Sequence, residues 1–98
     1  MPEDAAVSAC PPRLHHPEEL EGATIDLAVG GTLVIAVEHD PGGWWVQVDD
    51  HGALESLPGE WRDGVAFNPA LLALAPGASA VVLHDRAGRL TCFTVIVR

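Results

Sequence analysis

From residue 23 onward, apolar and polar side chains trade places every second position. Ile25, Leu27 and Val29 alternate with Thr24, Asp26 and Ala28; Leu33, Ile35 and Val37 with Val34, Ala36 and Glu38; Trp44, Val46 and Val48 with Trp45, Gln47 and Asp49. A two-residue period belongs to strands, whose successive side chains leave opposite faces. Between these runs lie Gly30-Gly31 and Asp40-Pro41-Gly42-Gly43, where a ring-fixed φ and unhindered glycines let the chain reverse or change sheets. Residues 53–57 predict a short fourth strand, followed by Pro58-Gly59 and a loop over residues 60–64. Residues 65–74 fit either a strand broken at Asn68-Pro69 or one helical turn begun there, and the broken strand is the preferred reading.

The last third is the most explicit. Pro76-Gly77 is a turn dipeptide, and residues 79–84 form a strand with Val81 and Leu83 on one face. Arg86-Ala87-Gly88 suits a three-residue hairpin loop with Gly88 in the left-handed position. That register places Val81, Leu83, Thr91, Phe93, Val95 and Val97 on one face and Val82, Leu90, Cys92 and Ile96 on the other. The second face is unusually apolar for a solvated sheet, and a covering tail, strand or second copy of the chain is expected. Short strands with turn signals roughly every six to twelve residues predict an all-β, immunoglobulin-like antiparallel β-sandwich of about seven strands, with a small barrel as the runner-up.

Residues 1–21 break the pattern. Four of the eight prolines and five acidic residues fall there, which predicts a flexible, disordered Pro/Glu-rich tail ahead of a sandwich domain over residues 22–98. Acidic residues stand where a signal peptide needs positive ones, so the chain as given is expected to be cytoplasmic, or secreted if it is a trimmed fragment. Fourteen acidic residues against five arginines and no lysine give a net charge of −9, which disfavours nucleic acid and anionic membranes as partners. No apolar run approaches the roughly twenty residues of a membrane helix. Cys10 and Cys92 are too few for a disulfide scaffold or a zinc motif, so they are free thiols or one long-range bridge.

Several features together resemble a known family: Val29-Gly30-Gly31-Thr32-Leu33, Asp40-Pro41-Gly42-Gly43-Trp44-Trp45, Ala75-Pro76-Gly77 and Phe93-Thr94-Val95-Ile96-Val97. In this order they are similar to the chagasin-type inhibitors of papain-like cysteine peptidases, and equally to generic bacterial immunoglobulin-like modules. The first resemblance implies an inhibitor that wedges three loops from one end of the sandwich into a peptidase cleft without covalent chemistry. The corresponding loops are residues 39–43, 59–64 and 85–88, and the expected partner-binding residues are Asp40, Pro41, Gly42, Gly43, Trp61, Arg62, Asp85 and Arg86. The chain departs from the family where Asp40-Pro41-Gly42-Gly43 replaces a longer Asn-Pro-Thr-Thr-Gly. It departs again where Asp85-Arg86 replaces an Arg-Pro-aromatic motif.

Chemistry offers two further readings. His39 and His84, each followed by aspartate (Asp40, Asp85), would supply a metal set if the topology gathers them. Enzyme chemistry has least support. Ser79 lacks a nucleophile-elbow sequence, Ser56 has no base nearby, Cys92 has apolar neighbours, and no glycine loop leads into a helix that could hold phosphate. The expected function is therefore non-enzymatic and cofactor-free binding of another protein, such as a cysteine peptidase, through the three loops. The alternatives are a homodimer or partner module using the apolar face, or a small His/Asp metal-binding protein.

Overall fold

A computed structural model of the chain describes residues 12–37 and 40–98. Two four-stranded sheets face each other. One is ordered β1-β3-β8-β5, from Arg13–His15, Thr32–Ile35, Ala70–Ala73 and Leu54–Leu57; the other is β2-β10-β9-β4, from Thr24–Leu27, Leu90–Val97, Gly77–His84 and Trp45–Val48. A two-stranded hairpin, β6 (Glu60–Arg62) with β7 (Val65–Phe67), is inserted between β5 and β8. The chain crosses from one sheet to the other at the glycine pair 30–31, at the 3-10 turn Pro41–Gly43, at residues 49–53 and at residues 74–76. Those are the places where turn residues interrupt the alternation.

The inward face is the one the alternation predicts. Leu33, Ile35, Leu54 and Leu71 from the first sheet meet Val81, Leu83, Phe93 and Val95 from the second, all buried. β9 and β10 pair antiparallel with Thr91 opposite Leu83, Cys92 opposite Val82 and Phe93 opposite Val81. The expected hairpin is present: Asp85 N–H donates to Arg89 O at 3.1 Å, and Gly88 sits at φ +88°. Residues 65–73 form two strands separated by Asn68-Pro69, as the broken-strand reading has it. The Asn68 side-chain oxygen accepts from Val37 N–H at 3.2 Å and Pro69 O from Ile35 N–H at 2.9 Å, so the break still satisfies the neighbouring strand.

Two edge pairings are parallel rather than antiparallel: β1 with β3 and β2 with β10. The first arises where a tail was expected. Residues 13–15 add a strand to the first sheet, and α1 (Pro17–Leu20) then carries the chain across to β2 in the second. Proline at the first helical position supplies a preset φ. Glu19 closes the turn, its side-chain oxygen accepting from His16 N–H at 2.9 Å while its own N–H donates to His16 O at 3.0 Å. Leu20 is fully buried in the core, so this part of residues 1–21 belongs to the sandwich. Residues 1–11, with Cys10, lie outside the described residues, as does His39. Among the described residues no helix is long and apolar enough to cross a membrane.

Candidate functional site

Three bends converge at one pole of the sandwich. Asp40 takes a left-handed conformation (φ 53°, ψ 61°) ahead of the 3-10 turn, and its carboxylate meets Arg86 Nε of the 85–89 hairpin at 2.8 Å. Gly43 lies beneath this pair: a Cβ there would stand 2.5 Å from Asp40 Oδ2 and 2.8 Å from Arg86 Nε. A side chain there would have to push the exposed ends of Asp40 and Arg86 aside, loosening the ion pair between turn and hairpin. Gly42 is the opposite case, exposed and with nothing near a would-be Cβ.

The third bend joins through Gly59. A Cβ at Gly59 would collide with the carbonyl oxygen of buried Pro41 and come within 2.8 Å of Pro69 Cδ, so the base of the β6–β7 hairpin rests directly on the 3-10 turn. Beyond that base the hairpin projects into solvent. Asp63 (φ 52°) and Gly64 (φ 78°) both occupy left-handed conformations, the pair a two-residue hairpin turn needs. Its register pairs Trp61 with Ala66, Arg62 with Val65 and Glu60 with Phe67. Arg62 is engaged on one side of the ribbon, ion-paired to Glu60 and placed 4.8 Å over the Phe67 ring. Trp61 projects from the other side and is 61% exposed. A loop was expected over residues 60–64; Asp63-Gly64 between two short runs was the signal for a hairpin, and with it Val65 and Phe67 join the exposed apolar surface.

Asp85 is occupied within its own hairpin, its Oδ1 accepting from Arg89 N–H at 2.8 Å. His84 is held as well. Its ring stacks on Trp45, centroids 3.7 Å apart and planes 6° from parallel, and its Nε2 lies 3.1 Å from Gln47 Oε1. Trp44, on the opposite side of the strand, packs against the core. Among the described residues no three metal-ligating side chains gather, and His84 is engaged by its two neighbours in β4. Ser79 is buried as a structural link: its Oγ accepts from Asp49 N–H at 3.1 Å and Asp50 N–H at 3.0 Å and donates to Ala80 O at 3.1 Å.

Beside the pole, α1, Trp44 and the first residues of β10 frame an open cleft of about 440 Å³ whose lining includes Glu18, Glu21 and Arg89. Glu19, on the same helix, has a carboxyl pulled below the usual glutamate range, chiefly by the His16 N–H and further by the His16 and His15 imidazoles.

No family model matches the chain. No curated protein matches it either. Among solved structures, the cysteine protease inhibitor EhICP2 from Entamoeba histolytica superposes with a TM-score of 0.62 at 15% identity, over 89% of this chain and 95% of the inhibitor. What the two chains share at that identity is their architecture: this chain has an immunoglobulin-like β-sandwich fold, the fold of that inhibitor.

Proposed function

We propose that the chain is a non-enzymatic protein ligand that seats its loop pole in the active-site cleft of a papain-like cysteine peptidase and blocks it without a covalent step. The observation that carries this reading is the convergence of the 40–43, 59–64 and 85–88 bends, tied together by the Asp40–Arg86 pair and by the seat of Gly59 on Pro41. A cleft is filled by a convex, prearranged edge, because a rigid edge loses little entropy on docking. The likeness of fold to a solved cysteine protease inhibitor supports the same reading.

The roles divide by what each residue already touches. Asp40, Gly43, Asp85 and Arg86 shape the edge, and Pro41 supports it from beneath. Gly42, exposed with open space above its Cα, is where the peptidase backbone comes closest. Trp61 is the anchor, a large exposed aromatic of the type that dominates binding hot spots, with Arg62 beside it on the ribbon.

Inhibition constants against a papain-like peptidase test the proposal. Trp61→Ala is expected to weaken binding by about thirtyfold, the hot-spot scale of roughly 2 kcal/mol. Gly42→Glu, whose Cβ would meet no described atom within 4 Å, is expected to abolish inhibition while the melting temperature stays unchanged. Wild-type protein that fails to inhibit at about 10 µM, where a specific complex should form, would overturn the reading.

A further inference from the structure

One edge of β10 is left open beside the pole. β2 pairs with β10 only from Thr94 to Val97. The residues after α1 extend that cover by one step: Glu21 Oε1 accepts from Cys92 N–H at 3.3 Å, Gly22 N–H donates to Cys92 O at 2.8 Å, and Thr94 N–H donates to Ala23 O at 3.0 Å. The even-numbered residues of β10 therefore turn their backbone groups to this side, while the odd-numbered ones face β9, as in the bond from Asp85 N–H to Arg89 O. Leu90 is the next even position. Its N–H and C=O point into the cleft of about 440 Å³ between α1 and β10, and among the described residues no strand or loop backbone pairs with them there.

We propose that this edge and cleft bind an extended peptide segment carrying a lysine or arginine. An open strand edge supplies main-chain hydrogen bonds to an incoming strand, and the pocket beside it selects the side chain. Here the pocket is built for a long cation. Pro17, Trp44 and Leu90 give its wall apolar surface on which a methylene stem can lie, and Glu18 and Glu21 offer carboxylates to the head. Glu18 is exposed and has no ion pair among the described residues. Arg89, the one arginine in the lining, leaves the carboxylates in excess.

Charge also excludes the nearer occupants. Residues 1–11 contain Glu3 and Asp4 and neither lysine nor arginine, and a second copy brings a net charge of −9. The site is separate from the three bends of the pole, and its occupancy does not depend on what they engage.

Titration of the isotope-labelled full chain with an acetylated, amidated hexapeptide alternating lysine and valine, followed by NMR at low salt and without any peptidase, tests the proposal. Dissociation constants of about 0.1–1 mM are expected for so small a contact. Shifts should centre on the Leu90 and Thr91 amides and the Trp44 indole, and exchange of the Leu90 amide should slow at least about threefold at saturation. Glu18→Gln with Glu21→Gln should weaken binding about tenfold and Arg89→Gln should strengthen it about twofold, both effects fading as salt rises. The fold should survive the double change, because a glutamine oxygen can still accept from Cys92 N–H. No shifts up to about 5 mM peptide would overturn the proposal. So would equal binding of a peptide alternating glutamate and valine, or binding that leaves Leu90 exchange unaltered. A Leu90 amide already protected in the free chain would also refute it, by showing that the chain covers its own edge, as would Leu90 shifts that follow protein concentration alone, the mark of a second copy.

Discussion

Replacing Leu20 with alanine should cost this sandwich much of its stability, because α1 carries that side chain into a site with no solvent exposure among the core residues. The substitution removes three carbons. At about 0.8 kcal/mol per buried methylene the transfer loss is ~2.4 kcal/mol. The cavity left behind raises the total to about 3–4 kcal/mol, because surrounding side chains relax only partly. In a domain of this length each kcal/mol moves the midpoint by roughly 4–8 °C, so the melting temperature should fall by about 15–25 °C. Urea titration followed by circular dichroism measures the loss, with Leu14→Ala as the control. Leu14 lies three residues before α1 but is 60% exposed, and its truncation should stay within about 0.5 kcal/mol. If Leu20→Ala costs less than about 1 kcal/mol, or no more than the control, α1 is not a part of the core and the account of residues 13–20 is wrong.

Gly59→Ala should destabilise by about 1–3 kcal/mol through overpacking against Pro41 and Pro69. Its φ lies outside the left-handed region, so the cost is steric and should appear equally in unfolding and in loss of peptidase inhibition. Arg86→Ala removes an ion pair whose partners are 73% and 43% exposed; stability should change by less than about 1 kcal/mol, while binding suffers more as the pole loosens. For Glu19 the lowered carboxyl value means its contribution is complete above the usual glutamate range and is lost as pH falls through the lowered value. Acid unfolding monitored beside Glu19→Gln should therefore show a shallower acid limb in the variant, and an NMR titration should find the Glu19 carboxyl below an ordinary glutamate.

Much of the sandwich was legible from alternation, because a strand with one buried face records that burial every second residue. Ile25 and Leu27, Leu33 and Ile35, Val81 and Leu83, and Phe93 to Val97 all point where their spacing says. Gly88 gave the last hairpin, and Asp40-Pro41-Gly42-Gly43 gave the crossing between sheets. Residues 13–15 were not legible. Arg-Leu-His has no alternation to read, and its pairing with β3 is settled by tertiary contact. For residues 17–20 the local signs were present in Pro17 and Glu19, but composition outweighed them and the single residue that anchors the turn, Leu20, is one apolar position among acidic neighbours.

At the pole, the meeting of Asp40 with Arg86 followed from sandwich topology, whereas the β6–β7 ribbon was hidden by reading Asp63-Gly64 as part of a loop. Residue type alone does not give the neighbours of His84; only the cross-strand register brings Trp45 and Gln47 beside it.

The central claim meets its most direct test in steady-state inhibition of a papain-like peptidase at several substrate concentrations. The account predicts reversible inhibition that substrate competes away, full recovery of activity on dilution, an uncleaved inhibitor chain, and loss of the effect in Gly42→Glu. Inhibition that substrate cannot relieve, or that survives Gly42→Glu and Trp61→Ala together, would contradict it, as would a folded chain without effect.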